Sequence, residues 1–182
     1  MRTKSFLASA AKAAFALAAI VMMSAAFTSC SKDGDEDVPK ANTVIFDKEK
    51  IKIEKANLIK INEDTYWLGL TLEAGKEATD VIIALEPLKH NGKQINLTEQ
   101  KSTSEGGWAV TVLKGNKWLC CGGEAKSDDY KFSSGTMTLN VDPTTKKAEV
   151  RLTGGKITTT AKYNSGDGKE HTLAISYEGT AE

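Results

Sequence analysis

From Thr43 onward, apolar and polar residues alternate in short runs, and each run ends in a turn signal. Thr43-Val44-Ile45-Phe46 is a short β-rich segment, and Ile51-Lys52-Ile53-Glu54 alternates as a strand with one buried face does. Asn57 to Ile61 continues that pattern, Asn62-Glu63-Asp64 turns, and Thr65 to Leu72 returns. Asp80 to Glu86 is an apolar strand stopped by Pro87, which cannot donate to a sheet ladder. Asn91-Gly92 predicts a tight hairpin turn, with Gln94 to Leu97 leading away from it. Trp108 to Leu113, Trp118 to Cys121 and Gly135 to Val141 read as further strands. So do Lys147 to Leu152, Ile157 to Tyr163 and His171 to Tyr177, with Gly154-Gly155 as a turn between two of them. Two polar loops, 99–107 and 122–129, interrupt the series. About ten strands with turns roughly every 8–12 residues predict an all-β fold, an antiparallel β-sandwich, with a lipocalin-like barrel as the alternative.

The head of the chain follows a different pattern. Arg2, Lys4 and Lys12 precede the uncharged, mostly apolar run Ala13–Phe27, and small residues lead to Cys30. This is the three-part layout of a secretory signal peptide over residues 1–29. The apolar run is shorter than the ~20 residues a spanning helix needs. Phe27-Thr28-Ser29-Cys30 resembles a bacterial lipobox, and that resemblance implies a covalent lipid, such as palmitate, on Cys30. Ser31, Lys32, Asp33, Asp35, Glu36 and Asp37 follow at once. They resemble the acidic export signal of surface lipoproteins of the Bacteroidota, which implies an outer-membrane, cell-surface location. Residues 30–42 then serve as an acidic, lipidated tether, and 43–182 as a single domain. Asp33, Asp35 and Asp37 alternate like the start of a calcium-binding loop. Val38 stands where that loop requires glycine, so calcium is not expected there.

Removing residues 1–29 leaves 21 basic against 24 acidic residues, a net charge of −3. Bulk charge therefore argues against nucleic acid as a partner. The blocks from Ser134 to Leu139 and from Ile175 to Thr180, with Asn91 to Thr98, resemble small β-sandwich surface lipoproteins of the Bacteroidota. That likeness implies a lipid-anchored β-sandwich and supplies no ligand.

Chemistry-bearing residues are few. His90 adjoins the Asn91-Gly92 turn and is expected to be solvated, and His171 is expected to pair locally with Glu170. Neither has a second metal ligand at useful spacing, and no G-x-S-x-G elbow is present. Neither catalytic residues nor a metal are expected, and no cofactor beyond the lipid. Cys120 and Cys121 point to opposite faces of a strand, as two half-buried thiols or a vicinal disulfide. Gly122-Gly123 reads as a loop breaker. Among the aromatics, Trp67, Trp108 and Trp118 sit on predicted strands. Trp108, beside a glycine-rich loop, is the expected exposed one, and with Trp118 and Tyr130 it forms the candidate ligand-binding set. Loops 99–108 and 122–131 are the expected site. The function expected is non-enzymatic binding of a glycan or protein partner at the cell surface. The alternatives are an assembly subunit of an envelope complex and a barrel-type small-ligand carrier or inhibitor.

Overall fold

A computed structural model describes residues 39–99, 107–123, 130–159 and 167–182. The signal segment, Cys30, the acidic run 31–37 and most of the two polar loops lie outside the described residues. The strands are β1 (Thr43–Phe46), β2 (Glu49–Lys60), β3 (Tyr66–Leu72), β4 (Asp80–Leu85) and β5 (Gln94–Asn96). They continue with β6 (Ala109–Lys114), β7 (Lys117–Gly122), β8 (Tyr130–Asp142), β9 (Lys147–Thr159) and β10 (Glu170–Thr180). One helical turn, α1 (Pro87–His90), joins β4 to β5. The ten strands form one antiparallel sheet in the order β5-β8-β9-β10-β1-β2-β3-β4-β6-β7, curled into a half-barrel. The all-β antiparallel class expected from the alternation is therefore the observed one.

β2 is the corner of the curl. Its first residues pair with β1, from Thr43↔Lys52 to Phe46↔Glu49, and its later residues pair with β3. A bulge between Ile53 and Lys55 lies at the start of the β3-paired stretch. An extra residue bends and twists a strand there, so one 12-residue strand serves two halves of the sheet. The inner faces share one core, in which Phe46, Leu68, Ile83, Met137, Leu152 and Ile157 are fully buried. The residues just before β1 are tied to the sheet. Pro39 is buried, and the Asn42 carbonyl and side chain accept hydrogen bonds from the Ile53 and Glu178 N–H groups.

Two turn predictions are corrected. Pro87 opens α1, where its missing N–H costs nothing, so Asn91-Gly92 follows a helical turn instead of forming a hairpin. Asn91 instead imitates a strand residue. Its Nδ2 donates to the Val141 carbonyl at 2.7 Å and its Oδ1 accepts from the Val141 N–H at 2.9 Å. Gly154-Gly155 lies inside the continuous strand β9. Leu173 pairs with Gly155 and Ile175 with Leu152, so Thr153 and Gly154 together oppose Ala174. Gly154 has φ +61°, a conformation that suits a residue lacking Cβ.

Candidate functional site

Trp108 and Trp118 do not form one exposed aromatic platform, and most of the two loops expected to carry the site lies outside the described residues. Trp108 is buried, at 3 % exposure. It precedes the inward residues Val110 and Val112 by even steps, so the pleat turns it into the core. There it packs against Phe132 with ring centroids 6.0 Å apart. Gly123 makes room for it, since a Cβ at that position would overlap the Trp108 ring and backbone. A Cβ at Gly122 would lie 2.6 Å from the Phe132 ring. This glycine pair is thus a packing device where β7 nears β8 and β9. Trp118 is half-buried and pairs with Leu113, which alternates with Val112 and so faces away from the core. The two tryptophans consequently occupy opposite faces of the sheet. Tyr130 opens β8, and its side chain lies outside the described residues. The exposed tryptophan is Trp67, at 42 %, paired across β2–β3 with Ile59 at 54 %.

The histidines are also reassigned. His90 is buried, and its Nδ1 accepts the Glu86 N–H at 2.9 Å, which stabilises the short α1 turn. His171 is buried between two carboxylates. Its Nδ1 lies 2.6 Å from Asp47 and its Nε2 3.2 Å from Asp167. The ring stacks on Phe46 at 5.1 Å. Glu170 instead lies 3.8 Å from Lys156. Partial desolvation pushes the Asp167 carboxyl up, but the Lys169 N–H and the hydrogen bond and charge of His171 outweigh it. The carboxyl sits below its usual range. Cys120 and Cys121 are both buried and free of any disulfide. Burial pushes the Cys120 thiol up, away from the reactive thiolate form. The Cys121 sulfur accepts from the Thr111 hydroxyl at 3.2 Å.

A groove of about 410 Å³ lies on the outer face of β1, β9 and β10. Ile45 and Ala174, paired across β1–β10, lie in it, together with Thr172. The β9 bulge keeps the groove open above these buried residues, because Gly154, opposite Ala174, has no side chain and nothing lies within 4 Å of where its Cβ would be. Lys48, Lys50 and Lys156 border it, and all three are exposed. Lys50 reaches the groove because it pairs with Ile45, and Lys156 because it pairs with Thr172. Among the described residues, Lys48 and Lys50 form no ion pair, and the Lys156–Glu170 contact is long and half-exposed, hence weak.

Lys48 reaches the groove through a strained turn. Asp47 and Lys48 link β1 to β2 with φ +47° and +70°, the pairing of a type I′ hairpin that glycine or asparagine usually supplies. The turn is pinned from β10. The Asp47 carboxylate takes His171 on one oxygen and the Thr172 N–H at 2.8 Å on the other, while the Asp47 N–H donates to the Thr172 carbonyl at 3.0 Å. Chemically, the arrangement is a convergent set of ammonium groups over an aliphatic floor, held by a fixed turn. Among the described residues, no group of three or more His, Cys, Asp or Glu side chains could hold a metal ion. Comparison with known families, with characterised proteins and with solved structures returned no match.

The lysines left a partial trace in the sequence. Lys48, Lys50 and Lys52 alternate with inward Ile51 and Ile53, which places them together on the outer face. No local signal identifies Lys156 as their neighbour, since that proximity depends on the register of β9 with β10.

Proposed function

We propose that this protein is a lipid-anchored lipoprotein of the outer membrane, exposed at the cell surface, with a non-enzymatic binding role. The observation carrying this reading is Cys30 at the end of an export signal and at the start of the acidic run Asp33–Asp37. Each buried CH₂ of an acyl chain contributes ~0.8 kcal/mol, so two or more chains hold a protein to a bilayer without a spanning helix. A binding role draws support from the open lysine-bordered groove. It also accords with the way the described histidines and Cys120 are engaged in structural contacts. The inner face of the curl is taken up by the hydrophobic core, which favours a ligand on the outside over an enclosed cargo.

Labelling with a palmitate analogue should mark the wild-type chain and leave Cys30→Ala unlabelled. Proteinase K added to intact cells should then degrade the labelled protein. Equal labelling of Cys30→Ala would remove the lipid site, and full protection of the lipidated form would remove the surface location.

A second reading, an assembly subunit with a protein neighbour, is favoured by the exposed Trp67–Ile59 pair. Aromatic residues of this kind often anchor protein interfaces. Crosslinking with mass spectrometry should yield a stoichiometric neighbour that Trp67→Ser loses. Its absence would leave the first reading alone.

A further inference from the structure

We infer that the groove between β1, β9 and β10 binds an acidic saccharide, a sugar bearing sulfate, phosphate or carboxylate groups. This names the ligand class of the binding role proposed above and rests on that reading for the claim that binding is what the protein does.

Charge sets the sign of the ligand. Three exposed ammonium groups, Lys48, Lys50 and Lys156, converge on one concavity, and within it no carboxylate contributes to the lining. Acidic groups on neighbouring positions have partners of their own. Asp47 holds His171 and Thr172, Glu49 lies 3.3 Å from Lys76, and Glu170 accepts from Ser133 at 3.3 Å, with a longer, weaker contact of 3.8 Å to the groove's Lys156. Residues 43–182 carry 19 basic against 20 acidic residues and are close to neutral, so this local excess of positive charge is not part of a generally basic surface.

Size and floor select the body of the ligand. A bare oxyanion would leave most of about 410 Å³ to water, since one water takes up ~30 Å³ of liquid volume. Grooves of this size match small organic ligands. The floor of Ile45 and Ala174, at 7 % and 6 % exposure, leaves a small aliphatic surface at the base of the groove for the C–H face of a sugar ring, while the bordering lysines are placed to meet the ring's charged substituents. The turn contributes preorganisation. Asp47 and Lys48 occupy a backbone region that is costly for residues with a Cβ, and such strain gathers where a side chain must be held in place. His171 and Thr172 fix that turn from β10, so the backbone that carries Lys48 is set at the edge of the groove before any ligand arrives.

The full chain, purified in neutral detergent, would be titrated by calorimetry and by amide chemical shifts. The probes are a fully sulfated disaccharide, an uncharged disaccharide and inorganic sulfate. The sulfated disaccharide should bind, should weaken as sodium chloride rises, and should shift the amides of Lys48, Lys50, Gly155, Lys156 and Thr172. Lys48→Glu and Lys156→Glu should each weaken it about tenfold or more, the scale of one charge-assisted hydrogen bond. Lys60→Glu, which makes the same change in net charge on β2 away from the groove, should leave binding unchanged. The inference is overturned if the uncharged disaccharide or inorganic sulfate binds as tightly, if the groove substitutions have no more effect than Lys60→Glu, or if no probe binds. Because these lysines are exposed, their variants keep the fold. Lipid labelling of Cys30 is read separately, so failure of the anchor and failure of the ligand remain distinguishable.

Discussion

The β6–β7 hairpin turns on Gly115-Asn116, whereas the β1–β2 hairpin turns on Asp47-Lys48. Both link adjacent antiparallel strands through two residues. Gly115 takes φ +57° with open space around its Cα, and its N–H donates to the Thr79 hydroxyl at 2.8 Å. Asp47 and Lys48 each take a positive φ while carrying a side chain, at a cost on the order of 1–2 kcal/mol per residue. That cost is offset from β10, through His171 and the Thr172 peptide. The Gly115 turn is held by that one hydrogen bond to Thr79, and at its positive-φ glycine it presents no side chain. The Asp-Lys turn depends on tertiary contacts and in return sets a cation over the groove. Two turns of equal length thus do different work, and the difference is visible in what holds each one.

The largest expected effect on this contrast comes from His171→Ala. Losing the ring removes a hydrogen-bond partner from both Asp47 and Asp167 and opens a space beside Phe46. Urea denaturation should report a loss of about 2–4 kcal/mol. Amide exchange should accelerate in the β1–β2 turn while the β6–β7 turn keeps its protection. Equal loosening of the two turns would abolish the distinction drawn between them.

Gly115→Ala should destabilise by about 1–2 kcal/mol, because its positive φ becomes strained although nothing crowds the new Cβ. In thermal melts, no change would mean that the turn adapts its backbone. Lys48→Gly should act in the opposite direction, raising stability by about 0.5–1 kcal/mol through relief of strain, less the entropy that glycine loses on folding. The same variant should bind the sulfated disaccharide less tightly. A gain in stability with unchanged binding would detach the strained turn from the groove.

The smallest effect concerns acid. Asp167 has a folded-state carboxyl below its ordinary range, so its contribution to stability is complete above the unfolded value and is lost as pH falls through the folded one. Acid titration should therefore release the His171 side of the β1–β2 turn only below the usual carboxylate range. Asp167→Asn should flatten that dependence, and the β6–β7 turn should not respond to it.

Much of this structure was legible in the alternation. Leu68, Leu70 and Leu72 point inward, so Trp67, one step out of phase, had to point outward. By the same rule Trp108 is in phase with Val110 and Val112 and belongs inside. Its nearness to a glycine-rich loop suggested exposure, but strand phase overrode that local cue. The glycines proved ambiguous for a physical reason. Gly154-Gly155 and Gly122-Gly123 suit a turn equally well as a bulge or a close approach to an aromatic ring, and only the packing partner distinguishes these roles.

The chain's own order of residues determined the all-β class, the strand count, the acidic run that follows Cys30 in sequence and the row of lysines on one face of β2. Each follows from short-range periodicity or composition, which neighbouring residues carry by themselves. Tertiary structure alone decided that Asp47 meets His171, that Lys156 joins Lys48 and Lys50, and that a bulge opens the floor between them. These depend on strand order and register, which bring Asp47 and His171 together across 124 positions. No local pattern encodes such a pairing, because it arises from the way the whole sheet curls around one core.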